Sequence, residues 1–342
     1  MDFISVLESI KFSYHTSGKR FKYIKIKINS IMGWLIKKEE ASLTPFGSYP
    51  GARTLEEHIK NGIIILDKPS GPSSHQIDRW IKEILNVNKA SHGGTLDPRA
   101  SGVLVIAMEN ATKLMPIILS SRKEYVGIIH LHKDIEKEKI EKAFKEFIGK
   151  VKQLPPVKSA VARREREREI FYLELLEIEG RNILFIIGCE AGFYVRRFAD
   201  DLGKKLGIGA HLQELRRTKS GNFSEESVIT LQNLFDALGN EEKLREIILP
   251  METVIESVGK VVISDNAIDN ICNGAPLAVG GIIRLEDNIK KGEWVAMLSL
   301  KGELVAIGKA TLNSKEIFEK NKGLAVKTDR VLMKKGTCPK IS

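Results

Sequence analysis

Apolar residues recur along this chain in two rhythms, and the points where one gives way to the other mark its elements. Gly62-Ile-Ile-Ile-Leu-Asp67 is an unbroken apolar run closed by Lys68-Pro-Ser-Gly-Pro72, which predicts a buried strand ending in a rigid loop. A helix should follow, capped by Ser73 or Ser74, because Ile77, Trp80, Ile81, Ile84 and Leu85 recur at helical spacing. The run His92-Gly-Gly-Thr-Leu-Asp-Pro-Arg-Ala-Ser-Gly102 is dense in backbone-permissive residues and feeds a strand at 103–107. Further strands are expected at 125–131, 171–178 and 183–188. A helix is expected whose buried face carries Ile140, Ala143, Phe144, Phe147 and Ile148, with others at 194–206 and 231–249, the last punctuated by Pro250.

After residue 256 the texture changes to short strands at 261–263, 280–284, 294–300 and 304–307, with a hairpin turn at 301–303. The reading is therefore α+β in two units, 41–256 and a β-rich 257–342, preceded by a segment of different character at 1–40. In that segment Ile24, Ile26 and Ile28 alternate with Lys25 and Lys27, the period-2 pattern of an edge strand. The turn-rich stretch 44–51 separates it from the strand expected at 62–67, and Met32 offers an internal start.

Charge sharpens this division. The total of +10 (54 basic, 44 acidic residues) says only that a polyanion is an acceptable partner. Residues 1–40 carry 8 basic and 4 acidic side chains, 41–256 carry 32 and 31, and 257–342 carry 14 and 9, so the ends are basic and the middle is nearly neutral. The alternating run Arg163-Arg-Glu-Arg-Glu-Arg-Glu169 reads as a solvated face more readily than as a binding site. Cys189, Cys272 and Cys338 are far apart and form no C-x-x-C pair, which suggests neither a disulfide framework nor a zinc site, and makes the cytoplasm the expected compartment. No apolar run reaches the roughly 18 to 20 residues that span a bilayer, so no membrane partner is expected.

Asp97 is the sharpest chemical candidate, held between two glycines on one side and Pro98 and Gly102 on the other. Such a loop presents a side chain in a fixed direction near a strand end, although Asp-Pro is also a common turn dipeptide. An Asp-based phosphohydrolase is disfavoured, since no second spaced carboxylate accompanies it to hold magnesium.

The run from His92 to Leu104 resembles the catalytic motif of the TruB-type RNA pseudouridine synthases. Three more blocks match in order: the stretch Leu66 to His75, Lys123-Glu-Tyr125, and Gly192-Phe-Tyr-Val-Arg-Arg197 with Asp201-Leu-Gly203. Pro155-Pro-Val-Lys-Ser-Ala-Val161, Cys189-Glu-Ala-Gly192, Gln213-Glu-Leu-Arg-Arg217 with Ser220-Gly221, and a tail around Asp265 to Pro276 that is similar to a PUA domain place it nearest the archaeal and eukaryotic dyskerin branch.

The resemblance implies a largely antiparallel mixed-sheet catalytic domain with a small barrel-like PUA domain. It implies conversion of uridine to pseudouridine in RNA without a cofactor or metal, directed by guide RNA in ribosomal RNA within an H/ACA particle, or acting alone on the tRNA T-loop. The expected partners are then guide, ribosomal and transfer RNA and the small H/ACA proteins; a non-catalytic RNA scaffold is the contrasting reading. Asp97 would be the essential carboxylate, as nucleophile or as base, with Arg196 paired to it and keeping it ionised. Tyr125 would stack on the flipped uracil. Lys68 and Pro69 would shape the pocket floor, Tyr194 would pack against the site, Leu215 would line the base pocket, and His92, Gly274 and Ala275 would contact RNA. In this branch a short amino-terminal segment packs near the PUA domain. The sequence departs from the family's usual Gly-Thr-Tyr-Ile-Arg-Thr at Phe193, where a hydroxyl is lost.

Overall fold

The computed structural model describes residues 30–31, 33–38, 45–154 and 164–338. The strand expected at 21–28, Met32, the match at 155–161 and Arg163 lie outside them. The first described strands, Ser30–Ile31 (β1) and Trp34–Ile36 (β2), pair with each other, and β2 goes on to join the C-terminal sheet.

Helix Leu55–Lys60 (α1) starts at a capping box between Thr54 and Glu57 and delivers the chain into Gly62–Lys68 (β3). Helix Ser74–Leu85 (α2) is capped by Ser73, with Gln76 returning the bond, and stops at Asn86 in the left-handed conformation (φ 50°). Its expected stripe faces inward, with Ile77 and Ile81 wholly buried. Ala90–His92 (β4) and Ser101–Met108 (β5) flank the glycine-rich loop. Met115–Ser120 (α3), Lys123–Leu131 (β6), Lys137–Lys145 (α4), Gly149–Gln153 (β7), Arg166–Glu179 (β8), Asn182–Cys189 (β9) and Val195–Lys205 (α5) follow. Ala210–Ser220 (β10), Phe223–Ser224 (β11), Leu231–Asp236 (α6), Glu241–Ile247 (α7) and Leu249–Pro250 (β12) complete this unit. The strands form one mixed sheet in the order β12-β3-β5-β10-β6-β9-β8-β7, with β4 on β5 and β11 on β10. Only the β5–β10 pairing is parallel among its described strands.

Three sequence expectations change here. The helix expected to continue through Ile148 ends at Lys145, and Gly149 turns with φ +100°, leaving Ile148 48% exposed. The single helix expected at 231–249 is two, because Gly239 takes φ +80° and Asn240 caps α7 through the Lys243 amide. In the run at 163–169 the sign alternation falls in step with the strand period, so its two signs separate onto opposite faces of β8. Glu167 and Glu165 pair with Lys150 and Lys152 on the exposed face, whereas Arg166 and Arg168 are half-buried on the other.

The C-terminal unit contains Gly259–Ile263 (β13), Asp265–Cys272 (α8), Leu277–Ala278 (β14), Ile282–Glu286 (β15), Trp294–Leu298 (β16), Leu304–Ala310 (β17), Ser314–Glu319 (α9) and Leu324–Val331 (β18). Its sheet runs β1-β2-β15-β13-β16-β17-β18-β14, so residues 30–36 extend it by two strands. Lys37 strengthens that attachment by donating to the carbonyls of Ile317, Phe318 and Lys320 at the end of α9. The helices α8 and α9 did not show in the strand-like pattern because they span only 8 and 6 residues.

The unbroken apolar runs of β3 and β5 are explained by burial on both faces. Ile64, Leu66, Leu104 and Ile106 point into a core with α2, while Ile63, Ile65, Val103 and Val105 point into a second core completed by Ala296, Leu304 and Ile307 of the C-terminal sheet. The end of β5 that carries the glycine-rich loop is thus clamped from two sides.

Candidate active site

Asp97 lies at the middle of the loop between β4 and β5, with its side chain 53% exposed. Arg196, from the first turn of α5, reaches it through Nη2, and the two form an ion pair on an open face. The half-exposed guanidinium therefore holds the carboxylate's direction without closing it off.

Beneath the loop the bonding is of another kind. Lys68 is wholly buried, and its Nζ donates to the carbonyls of Pro69 (2.9 Å), Pro98 (3.1 Å) and Ala100 (2.8 Å), so it grips the loop at the residue after Asp97 and again two residues on. Burial, and then the nearby Arg217, lower its pKa from the usual lysine value. Arg217 is 1% exposed and donates from Nε to Val103 O (2.7 Å) and from Nη2 to Gly94 O (3.0 Å). Ser74, inside the first turn of α2, both accepts from the Leu96 amide and donates to the Leu96 carbonyl at 3.0 Å.

His92, expected to meet RNA, is instead only 9% exposed and has both ring nitrogens engaged: Nδ1 with Asp78 (2.7 Å) and Nε2 with Thr95 (3.0 Å). It ties the loop to α2. His75, Asp78 and His92 are close enough together to hold a metal ion, but the His92 contacts already give those two side chains a structural role.

Tyr125 sits on β6 opposite Arg217 of β10 and Ile187 of β9, and is 8% exposed. Its phenol is pushed up from the ordinary pKa by burial, so it stays protonated at neutral pH. The ring is thus part of the core at the edge of the site, more enclosed than a fully open stacking platform. Leu215, half-buried two residues before Arg217, packs against the same core. Tyr194 caps α5 at its N-terminus, and Gln153 fixes its backbone from both sides, accepting from its amide (2.9 Å) and donating to its carbonyl (3.2 Å). That contact sets the angle at which Arg196 leaves the helix. Phe193, the departure from the family pattern, is 7% exposed and belongs to the core, where a hydroxyl would need a partner.

Gly274 and Ala275 are not brought to this site. They form the turn after α8 in the C-terminal unit, where Gly274 takes φ +89° and Thr328 donates to the Ala275 carbonyl at 2.8 Å. Pro276, next to them, lines a cavity of about 370 Å³ with Lys38, Ser264, Asn266 and Asn270. A larger cavity of about 680 Å³ lies between α1 and the segment 331–337 and includes none of the residues around Asp97. The carboxylate is presented on a surface rather than in an enclosed pocket, an arrangement for a substrate that brings its own bulk.

Sequence reasoning missed Arg217, Ser74 and Gln153 as residues of this construction, and beside it a second buried cation, Lys123, that does not hold the loop. Lys123 is 6% exposed and bonds the carbonyls of Ile118 and Ser121, and its pKa is lowered to about 7 by burial and then by Arg217. The available signal was the unbroken Leu215-Arg-Arg217 within a strand, where period 2 must turn one arginine inward.

Known proteins match this chain along almost its whole length. The TruB family pseudouridylate synthase N-terminal domain matches residues 82–138 and 132–195, the tRNA pseudouridylate synthase B C-terminal domain matches 196–256, the PUA domain matches 259–332, and the DKCLD (NUC011) domain matches 23–78. A protein of Methanopyrus kandleri described as "Probable tRNA pseudouridine synthase B" is 48% identical over 90% of this chain and 93% of its own, and one of Pyrococcus furiosus with the same description is 49% identical over 90% and 93%. Among solved structures, the chain matched in a Cbf5-Nop10-Gar1 complex superposes with a TM-score of 0.85 at 49% identity, covering 90% of this chain and 96% of that one. The chain matched in an H/ACA RNP bound to a substrate RNA containing 2'-deoxyuridine gives 0.82 at 47%, covering 90% and 96%. This chain belongs to the TruB family of RNA pseudouridine synthases and carries a PUA domain at its C-terminal end.

Proposed function

We propose that the chain isomerises uridines of ribosomal RNA under the direction of a guide RNA, as the catalytic subunit of an H/ACA particle in the cytoplasm. The observation that carries the chemical half of this reading is the Asp97–Arg196 pair, open to a large substrate and fixed from beneath by Lys68 and Arg217. The reaction breaks the bond from N1 of uracil to C1' of ribose, turns the base and forms a bond from C5 to C1'. The C5 proton leaves and N1 gains one, so atoms balance and no electron is transferred. A carboxylate at the anomeric centre meets the main need, as nucleophile toward C1' or as base toward the ribose. Arg196 keeps that carboxylate aimed, while Tyr125 and Leu215 flank the base once it is flipped, at a cost of a few kcal/mol of lost stacking.

Support for guide direction comes from the solved relatives, which are subunits of Cbf5-Nop10 and H/ACA assemblies at 43 to 49% identity over at least 90% of this chain. Small proteins of the Nop10 and Gar1 kinds would then be its partners, and the PUA domain would hold the guide. The names of the sequence relatives favour a second reading, direct action on tRNA.

Incubating the pure protein with an unmodified tRNA transcript, then with a guide RNA, its target RNA and the small H/ACA proteins, separates the two. Site-specific product is expected only, or far faster, with the guide. Efficient guide-free modification of one tRNA uridine overturns guide dependence. Asp97→Asn should abolish product in either format while RNA still binds, and an active Asp97→Asn would sink the assignment of the carboxylate.

A further inference from the structure

Arg217 is buried to 1% exposure yet forms no ion pair with a carboxylate among the described residues. Burying a guanidinium is costly unless its hydrogen bonds are met, so what it bonds instead is informative. Its Nε and Nη2 take the carbonyls of Val103, in β5 just past the loop, and of Gly94 at the loop's start, with Asp97 between them.

The backbone of Arg217 closes on the same loop. It pairs with Gly102 in parallel register, so closely that a Cβ on Gly102 would stand 2.2 Å from the Arg217 carbonyl oxygen. At the opposite end a Cβ on Gly94 would stand 3.5 Å from Arg217 Nη1. Gly94 (φ +117°) and Gly102 (φ +98°) both hold conformations that only glycine adopts cheaply. Both flexible feet of the loop therefore rest on one residue. On its other side Arg217 lies directly opposite Tyr125 in the antiparallel pairing of β10 with β6.

We propose that Arg217 is a positioning residue for the isomerisation: one buried guanidinium sets the position of the Asp97 carboxylate relative to the Tyr125 ring by fixing both to a common point. A planar fork with several donors can span two carbonyls while its strand position stays beside the Tyr125 ring; an ammonium on a flexible stem cannot hold both carbonyls in register. The inference rests on reading Asp97 as the reacting carboxylate and Tyr125 as the group beside the base. Lys123 is the natural control. It is nearly as buried and lies close by, but its bonds go to Ile118 and Ser121, outside the Asp97 loop.

The test uses the full chain in whichever RNA format the wild type is active, following single-turnover release of tritium from substrate uridine labelled at C5, with RNA affinity measured by filter binding. Arg217→Lys should lose about 100-fold in the rate constant, the scale of an ångström-level misplacement, while Kd for RNA stays within about twofold. Arg217→Ala should regain about tenfold or more in added ethylguanidinium, again with Kd unmoved, a response that a purely structural role would not give. Lys123→Met should keep the wild-type rate per folded molecule.

A rate for Arg217→Lys within about threefold of wild type overturns the proposal, as does a loss that merely tracks the unfolded fraction. Should the Arg217 variants fail to fold, Gly94→Ala disturbs the same contact from the loop side, because its φ of +117° strains an L residue at the carbonyl that Arg217 Nη2 holds, and it must show the same separation of rate from affinity. A wild-type rate there overturns the proposal as well. Asp97→Asn assayed alongside keeps the two readings apart, since its activity decides the role of the carboxylate whatever Arg217 does.

Discussion

The two sheets of this protein keep their cations in different places. The catalytic sheet buries Lys68, Lys123 and Arg217 to between 0% and 6% exposure, whereas no lysine or arginine of the C-terminal unit is buried among the described residues, its buried polar side chains being Ser299, Glu303 and Ser314. A buried cation is a liability for stability, so a domain that holds three in one place is using them for something an apolar side chain cannot do. Here they bond backbone carbonyls, and Lys68 and Arg217 bond those of the one loop that must hold a carboxylate in a fixed direction. The C-terminal sheet has no such loop to hold and leaves its positive charge facing solvent, where a phosphate backbone can reach it.

The largest effect should come from removing a cation on the catalytic side. Lys68→Met leaves the carbonyls of Pro69 and Ala100 without their donor, while Pro98 keeps the Gly71 amide, at a cost of about 3 kcal/mol in denaturant unfolding if each unsatisfied acceptor is worth roughly 1.5 kcal/mol. In the C-terminal sheet, Lys309→Met removes only an ammonium 3.9 Å above the Trp294 ring, and the same measurement should show a loss of less than about 1 kcal/mol. Equal losses would mean that the contrast between the sheets has no energetic content.

Next in size is the exposed pair. Arg196→Met should lower the single-turnover rate by about 100-fold, the range found when one preorganised charge contact is removed, while stability changes little because both side chains are about half exposed. Stability falling as far as it does in Lys68→Met, with the rate unchanged, would reverse the division between an open chemical side and a buried structural side.

Smaller still is a pH effect from Lys123. Its folded pKa is lowered to about 7 from an unfolded value near 10.5, so between those limits the unfolded chain holds a proton that the folded chain has released. Unfolding takes that proton up, and stability should rise with pH across the window. Melting curves at pH 7 and pH 9.5 should therefore diverge more for the wild type than for Lys123→Met, by about a few degrees. Identical pH dependence in the two proteins would place the lysine's proton elsewhere.

The sequence made the parts of this site legible that depend on local pattern. The apolar period placed β3 and α2, the glycine density located the loop, and the motif blocks singled out Asp97 and Arg196, which the fold brings together from residues 99 positions apart. What pattern could not show was the underside of the loop. Charge reads as surface in a sequence, so Arg217 and Lys123 stood only as members of matched blocks with no role of their own, and Lys68 as a floor residue rather than a clamp. The bonds of His92 were hidden for the related reason that its partners Asp78 and Thr95 meet it only once α2 packs beside β4. The split of 231–249 turned on a single positive φ at Gly239, which composition cannot separate from a tolerated helical glycine.

The smallest expected effect tests the other half of the comparison. If the C-terminal unit contributes exposed charge to RNA binding, the logarithm of affinity should fall linearly with the logarithm of salt, with a slope that counts phosphate contacts at roughly 0.7 to 0.9 each. Substituting glutamine for the exposed Lys327, Lys334 and Lys335 should make that slope shallower by up to about 2 to 3. The same number of glutamines at Lys137, Lys139 and Lys142, exposed on α4 of the nearly neutral catalytic unit, should leave it unchanged. Both triple variants lose the same formal charge, so any difference between their slopes measures where RNA lies rather than how positive the protein is. A larger change from the α4 set would move the RNA-binding surface to the catalytic unit and leave the basic C-terminal unit without the role its charge suggests.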